Sequence, residues 1–510
     1  NADAGSGFAF SGYDGSQIYR KDGAAAGDQL GAAVACAGDV NNDGYEDFIA
    51  GAALADPSGN SMAGSAYVFS GKDGTALYQK DGANADDRLG YSVSGAGDLD
   101  NDGYDDFIVG ANFFDYDGNT RSGAAFIYSG QDGSVLYSKY GEVEQDRFGS
   151  AVGNAGDVDD DGTDDFIIGA FYANPPLRAG AVYVYSGQDG TLIHEIDGSE
   201  GEKLGFAVST GGDIDGDGYA DFIVGAYDAD PDSVTDAGSA YVFSGTDASV
   251  IYRKDGQASG DTFGRSVSGG TDVDNDGTPD FAVGANFADH GGVSDVGAAY
   301  VYSGDDGSLI AKKTGEESDD RLGISVSISG NIDNDNYADL LIGAFRANPG
   351  GNDSAGSAYL FSTDLKAPTI TDNQSGDDTW RTSNSATYDV DFDDAPGLLQ
   401  KFQVSVCSTD SFCSDVVPWT DVQSDIEDTS YTSDWQLPSA VWSSMSEGVN
   451  YVSARVYDTY GNVATAGPVF YVRKDSNPPQ FDGVQGVLGC GPGCLEVFWN
   501  AATDSVTGLQ

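Results

Sequence analysis

The sequence predicts an all-β chain: a β-propeller of four-stranded blades followed by β-sandwich modules. A loop of the form Asp-x-Asp-x-Asp-Gly-x-x-Asp, or a close variant, begins at Asp39, Asp98, Asp157, Asp213, Asp272 and Asn331, giving steps of 59, 59, 56, 59 and 59 residues. Around each loop the same four short apolar runs recur between turn residues, the pattern of one four-stranded unit copied along the chain. Beyond Thr363 the Asp-Gly loops stop, and all five tryptophans (Trp380, Trp419, Trp435, Trp442 and Trp499) lie past that point.

The second copy shows each element in turn. Tyr91-Ser92-Val93-Ser94-Gly95-Ala96-Gly97 is a strand of small residues, suited to a crowded position where blades converge on a central channel. The carboxylate loop leads into Phe107-Ile108-Val109-Gly110-Ala111, then a polar loop and Ala124-Ala125-Phe126-Ile127-Tyr128. A turn at Gln131-Asp132-Gly133 ends in Val135-Leu136-Tyr137-Ser138-Lys139. Helical periodicity is absent, and a unit of this length is too short for a sandwich of roughly 100 residues. The aromatic third strands (Tyr67-Val68-Phe69, Tyr183-Val184-Tyr185, Tyr241-Val242-Phe243, Tyr300-Val301-Tyr302, Tyr359-Leu360-Phe361) read as packing between blades, in preference to a sugar platform. Before the first loop, 7–12 and 18–21 read as a third and fourth strand. Completion of the sixth copy by that N-terminal fourth strand favours six blades; a seventh would need residues upstream of Asn1.

Each loop offers side-chain oxygens at positions 1, 3, 5 and 9 and a backbone carbonyl at position 7. The sets are Asp39, Asn41, Asp43, Tyr45 and Asp47; Asp98, Asp100, Asp102, Tyr104 and Asp106; and Asp157, Asp159, Asp161, Thr163 and Asp165. The remaining copies give Asp213, Asp215, Asp217, Tyr219 and Asp221; Asp272, Asp274, Asp276, Thr278 and Asp280; and Asn331, Asp333, Asp335, Tyr337 and Asp339. Carboxylates converging about a glycine turn call for a hard cation, and about six Ca²⁺ ions are expected. Magnesium retains its waters and takes fewer protein ligands. An EF-hand needs a glutamate at position 12, where Ala50, Val109, Ile168, Val224, Val283 and Ile342 stand instead. The loops therefore read as calcium sites within β-hairpins, with a structural role.

The pairs Leu30-Gly31, Phe148-Gly149 and Phe263-Gly264 before the loops, and Gly51-Ala52, Gly169-Ala170 and Gly284-Ala285 after them, resemble FG-GAP repeats. Such repeats build the N-terminal propeller of integrin α subunits and occur in many bacterial surface proteins. The resemblance covers residues 7 to about 362; the proline of the motif is missing, with Ala53, Asn112, Phe171, Tyr227, Asn286 and Phe345 in its place. It implies a ligand-binding face opposite the metal loops. The connections there, at 55–63, 114–122, 174–179, 228–237, 288–296 and 347–355, vary most between copies. Free drift of surface loops explains such variation equally well.

Composition narrows the function classes. With 83 acidic against 23 basic residues and a net charge of −60, nucleic acid is excluded as a partner. No stretch approaches the roughly 18 apolar residues of a membrane span. The N-terminus lacks a basic region and an apolar core, so a signal peptide is expected to have been removed. Cys407 with Cys413 and Cys490 with Cys494 read as short disulfide loops, indicating an oxidising compartment, with free thiols the alternative; Cys36 reads as a buried, inert residue. The two histidines, His194 and His290, have no nucleophile motif near them, and no enzymatic activity is expected.

The expected domains are a calcium-binding propeller over 1–363, an immunoglobulin-like sandwich over 367–475, and the opening of a fibronectin III-like domain over 480–510. The sum is an extracellular, calcium-stabilised adhesion or structural protein of a cell-surface layer or filament. Its expected partners are other surface proteins, glycans or copies of itself. A lectin-like propeller and the non-catalytic part of a secreted hydrolase are the competing readings.

Overall fold

The computed structural model describes residues 3–174, 177–332, 337–349, 355–361, 368–373, 377–393, 399–409, 416–458, 463–476, 484–491 and 494–499. The chain divides into two compact units, Asn1–Thr363 and Asp364–Gln510.

The first unit opens with a hairpin, β1 (Ser6–Phe10) and β2 (Gln17–Asp22). The first complete blade follows: β3 (Ala33–Gly38), β4 (Asp47–Ala52), β5 (Ser65–Phe69) and β6 (Ala76–Asp81), hydrogen-bonded in that order and antiparallel throughout. Four more sheets repeat the order, beginning with strands Leu89–Gly97, Ala151–Gly156, Ala207–Gly212 and Ser266–Thr271. The sixth sheet has three described strands, Leu322–Ser329, Asp339–Ala344 and Ser357–Phe361. First strands of successive blades pack on one another, which places them around the common axis.

Second strands show why the pattern is a continuous apolar run and not an alternation. Every residue of Asp106–Ala111, Asp165–Ala170, Asp221–Ala226 and Asp280–Ala285 is buried, because a blade lies on each face of the sheet. Aromatic rings bridge the blades. Tyr78, on the fourth strand of the first blade, stacks on Phe107 of the second at 5.8 Å, and Phe107 stacks on Tyr128 at 5.3 Å. Tyr78 also donates its hydroxyl to the Gly130 carbonyl of the next blade (2.6 Å). Tyr137 and Tyr252 repeat that latch, and His194 takes the same place with a ring nitrogen 2.5 Å from the Gly245 oxygen. His194 is thus an inter-blade contact, and His290 closes a local turn with Val293.

The N-terminal hairpin does not complete the sixth blade: β2 pairs with β1 only. It sits against the first complete blade as each outer strand pair sits against the blade after it. Tyr19 donates to the Lys72 carbonyl (2.6 Å), and Gly5 bridges Leu30 as Gly64 bridges Leu89. On its other side a Cβ at Gly12 would stand 2.8 Å from Cγ2 of Ile332 in the sixth loop. Gly187 of the third blade stands in the same relation to Leu99 of the second-blade loop, also at 2.8 Å. The hairpin therefore occupies the outer half of a seventh position. Of the two blade counts the sequence leaves open, seven is the one this placement follows.

Burial records the consequence. Leu341 and Leu360 of the sixth blade are 41% and 47% exposed, and Val34 and Phe10 are 62% and 60% exposed. Their counterparts in the second blade, Ile108, Ile127, Val93 and Tyr128, are at most 8% exposed. Cys36 shares this edge. It is a free, exposed cysteine with its thiol 3.6 Å from Glu46 Oε2, and not the buried residue its apolar strand suggests. The first strand of the next blade packs on one side of β3, and among the described residues no inner strands cover the other side, where Val34 and Cys36 are exposed.

The second unit packs two sheets about one core. A five-stranded sheet orders Asp377–Arg381, Val463–Lys474, Gly448–Asp458, Leu399–Cys407 and Val417–Asp428; a three-stranded one orders Thr369–Asp372, Val390–Asp393 and Ser430–Tyr431. Phe392 from the small sheet stacks on Phe402 from the large one at 4.3 Å, and the Trp435 ring lies 5.2 Å from Phe402. A further hairpin joins Val484–Gly491 to Cys494–Trp499. Cys407 is disulfide-bonded; Cys413 lies outside the described residues, as do the side chains of Cys490 and Cys494. Among the described residues no helix is long and apolar enough to cross a membrane.

Candidate metal centres

Each carboxylate loop connects the first strand of a blade to its second, so all lie on one face of the ring. The local fold begins with position 1, whose two oxygens cap the turn ahead. Asp98 accepts from the N–H groups of Asp102 (3.0 Å) and Gly103 (2.9 Å), and Asp157 accepts from Asp161 (3.1 Å) and Gly162 (2.9 Å). Asp39 and Asp272 do the same, and Asp213 accepts from Gly218 (3.1 Å). The position 6 glycines adopt the left-handed backbone the sequence calls for, with φ of 89° at Gly103 and 90° at Gly162. At position 5 a carboxylate accepts from the position 7 N–H: Asp102 from Tyr104 (3.0 Å), Asp161 from Thr163 (2.9 Å), Asp217 from Tyr219 (3.0 Å) and Asp276 from Thr278 (2.8 Å).

Position 9 is built differently. Asp106, Asp165, Asp221 and Asp280 are buried, and each spends both oxygens on backbone N–H groups. Asp106 Oδ2 accepts from Leu99 and Oδ1 from Gly130, each at 2.9 Å. Asp165 accepts from Val158 (2.7 Å) and Gly187 (2.9 Å). These aspartates thereby tie the metal loop to the Ser-Gly turn between third and fourth strands. Burial pushes Asp106 and Asp165 up to about 7, and Asp221 and Asp280 to about 6, against those backbone donors. Asp100, Asp159, Asp215 and Asp274 at position 3 are also raised, by burial first and then by the neighbouring position 5 carboxylate.

Convergence follows from these bonds. Ligand oxygens of Asp98, Asp100 and Asp106 lie within 4.8 Å of one another, as do those of Asp157, Asp159 and Asp165, of Asp213, Asp215 and Asp221, and of Asp272, Asp274 and Asp276. In the first loop Asn41 Oδ1, Asp43 Oδ1 and Asp47 Oδ2 are buried without a hydrogen-bond partner, and Asp213 Oδ1 is in the same condition. Acceptor-only oxygens gathered without a donor fit a hard cation of the calcium type, which takes six to eight oxygens. In the sixth loop Asp333 and Asp335 lie outside the described residues; Asn331, Tyr337 and Asp339 lie within them, and Asp339 accepts from the Ile332 N–H (2.7 Å).

Two features escaped the sequence reading. Position 4 is also left-handed, at Asn42 (φ 52°), Asn101 (57°), Asp160 (57°), Gly216 (72°) and Asn275 (60°). Every one of these is Asn, Asp or Gly, the types that tolerate that region, so the signal was present. Position 8 joins blades: Asp105 Oδ2 accepts from the Asp39 N–H of the preceding loop (2.6 Å).

The FG-GAP repeat family matches residues 31–69, 89–128, 204–243 and 263–302. The first unit is an integrin α-like FG-GAP β-propeller. Integrin alpha-5 of Xenopus laevis is 35% identical over 209 residues, which make up 38% of this chain and 19% of that protein. Integrin alpha-V of Gallus gallus is 30% identical over 225 residues (39% and 20%), and Integrin alpha-PS2 of Drosophila melanogaster 31% over 215 (38% and 15%). The chain thus spans about a fifth, or less, of the length of these relatives. The third FG-GAP copy falls outside the matched residues, yet it keeps four strands and a complete carboxylate cluster.

Proposed function

We propose that this chain is an extracellular, calcium-stabilised adhesion or structural module of a cell-surface layer or filament, without enzymatic activity. The observation that carries this reading is the gathering of three carboxylates in each of four successive loops, beside unpartnered buried oxygens in a fifth. Calcium ties each first-to-second-strand hairpin and cancels the repulsion its carboxylates otherwise exert. Extracellular modules bind calcium at roughly 10⁻⁴ to 10⁻³ M, a level met outside cells and not inside. The integrin α relatives support an adhesion role, with contacts made through the face opposite the metal loops. The second unit is read as immunoglobulin-like, continuing into a fibronectin III-like start.

Light scattering across a calcium titration, from excess chelator to about 10 mM, tests this reading. Growth into large ordered particles with calcium identifies a structural polymer. A constant monomer mass with a calcium-dependent rise in Tm identifies a receptor-like module. A Tm indifferent to calcium would overturn the calcium role.

A further inference from the structure

The propeller face opposite the metal loops carries, around the mouth of the central channel, an arc of cations interleaved with aromatic rings. Guanidinium carbons of Arg88, Arg121 and Arg147 stand 3.7, 4.8 and 3.6 Å from the ring centroid of the same residue, Phe113. Further round, Lys203 lies between Tyr172 (5.6 Å) and Tyr227 (4.9 Å), Arg265 between Phe206 (4.2 Å) and Tyr227 (5.3 Å), and Arg321 between Phe287 (4.3 Å) and Phe345 (5.8 Å). All come from second-to-third-strand loops, from the connections between blades, or from the residue just before an inner strand. On a chain of net charge −60 with 23 cations, this arc gathers six of them.

Counter-charges do not balance it. Asp86 serves both Arg88 (3.3 Å) and Arg121 (3.6 Å), Asp228 pairs with Lys203, and Asp319 serves both Arg321 (2.7 Å) and Arg346 (2.8 Å). Arg147 and Arg265, both half-buried, have no carboxylate at ion-pair distance among the described residues. Asp87, Asp146, Asp261 and Asp320, beside these connections, are buried and turned inward, accepting from the backbone N–H groups of Asn84, Val143, Ala258 and Glu317. Burial first, and then the Arg121 and Arg88 charges, hold Arg147 below its ordinary value. A cleft of about 380 Å³ opens beside Phe113 and Arg121, lined also by Asp86, Asp115, Thr120 and Gln145.

The fold does not require these cations. Arg88, Arg147, Lys203 and Arg321 occupy a left-handed position that Gln29 and Thr262 fill in other copies, and Met62, Asp236 and Asp295 stand where Arg121 does. The turn accepts polar, apolar or acidic side chains, so its cations answer to something other than backbone geometry.

We propose that this mouth binds an acidic peptide segment along the arc, Asp or Glu side chains of the partner meeting Arg147 on Phe113 and Arg265 between Phe206 and Tyr227. Guanidinium groups stacked on aromatic faces keep their N–H edges free for a carboxylate, which they grip in bidentate fashion. The same stacking covers the rings against a sugar. The half-buried cations favour a slim side chain over a pyranose. This deepens the reading of the face as the contact surface and is independent of calcium at the other face.

The test is binding of a fluorescent Asp/Glu-rich peptide to the full chain in calcium, beside its Asn/Gln counterpart and a sulfated oligosaccharide. The expected result is selective binding of the acidic peptide, weakened by salt, at least tenfold weaker in the Arg147→Gln/Arg265→Gln variant and unchanged in Arg20→Gln. Arg121→Gln, at an exposed position, gives a second measure if the double variant fails to fold, with a severalfold loss expected. Equal affinity in every variant, equal binding of the neutral peptide, or binding of the oligosaccharide alone overturns the proposal. A calcium-dependent Tm without peptide binding sinks this proposal only, whereas peptide binding with a calcium-indifferent Tm sinks the calcium role only.

Discussion

The two faces of the propeller solve opposite problems with the same repeat. On the metal face the carboxylates are held by backbone N–H groups into clusters of one sign, and the loop sequence recurs with few substitutions from copy to copy. On the opposite face the same backbone turns recur, but the side chains differ and charges of both signs meet over aromatic rings. A cluster of like charges is eased by an external counter-ion, and carboxylates gather in this way in four successive loops among the described residues. A face without such like-charge clusters is free to diverge. Constancy on one side therefore marks dependence on a small ion, and variety on the other marks freedom to choose a partner.

The largest effect expected is removal of the ions. Excess chelator lowers the Tm of the first unit by more than about 10 °C, since several sites each contribute binding free energy that the unfolded chain lacks. Calorimetry in chelator and in about 5 mM calcium reads it. The opposite face predicts no such loss from salt or from a competing anion, and an equal loss there would erase the contrast.

Next comes a comparison within one loop. Asp106→Ala strips two buried N–H groups, of Leu99 and Gly130, of their acceptor and costs about 2–6 kcal/mol with or without calcium. Asp100→Asn, at an exposed position, lowers stability in calcium and leaves the metal-free protein unchanged or more stable, because it removes one repelling charge. Urea unfolding of both variants in both conditions separates a ligand that also builds the fold from one that only binds. Equal behaviour of the two would show that position 9 has no separate structural duty.

A smaller effect is the pH dependence of the metal-free form. Asp106 and Asp165 titrate near 7 and Asp221 and Asp280 near 6 in the folded state, all above the unfolded 3.8. The folded state then binds more protons than the unfolded one between about pH 4 and 7, so stability in chelator falls as pH rises through that window. The exposed turn aspartates Asp73, Asp132, Asp189, Asp247 and Asp306 are lowered by hydrogen bonds from the Ser or Thr two residues on. Their contribution is lost only on further acidification. Calcium, which needs ionised ligands, reverses the trend across the same window. Thermal melts at pH 5 and 8 with and without calcium should cross, and parallel curves would remove the carboxylates from the argument.

Much of this was legible in the sequence because it is periodic. Six loops in register gave the blade and the face on which the carboxylates gather, and the aromatic third strands gave the packing between blades. What escaped depends on contacts between distant segments. That Asp106 caps Leu99 and Gly130 joins two loops of one blade, and that Arg88, Arg121 and Arg147 share Phe113 joins three connections. Cys36 was misplaced for a related reason: an apolar strand reads as buried whether or not a neighbour covers it. Its neighbour would be the inner half of a seventh blade, whose outer half alone is seen in β1 and β2.

That asymmetry yields the smallest and most local prediction. Tyr78 and Tyr19 make the same latch to the following blade, each hydroxyl 2.6 Å from a carbonyl oxygen. The Tyr78 bond is part-buried between two complete blades, whereas the Tyr19 bond is exposed on a hairpin without inner strands behind it. A hydrogen bond contributes about 0.5–1.5 kcal/mol net, and a buried carbonyl left without its donor costs more than a wet one. Tyr78→Phe should therefore destabilise the propeller by about 1 kcal/mol, and Tyr19→Phe by a few tenths. Hydrogen exchange at the first blade reads both. If Tyr19→Phe proves as costly as Tyr78→Phe, the hairpin is as firmly seated as a whole blade, and its exposed edge is covered in solution by strands that complete the seventh position.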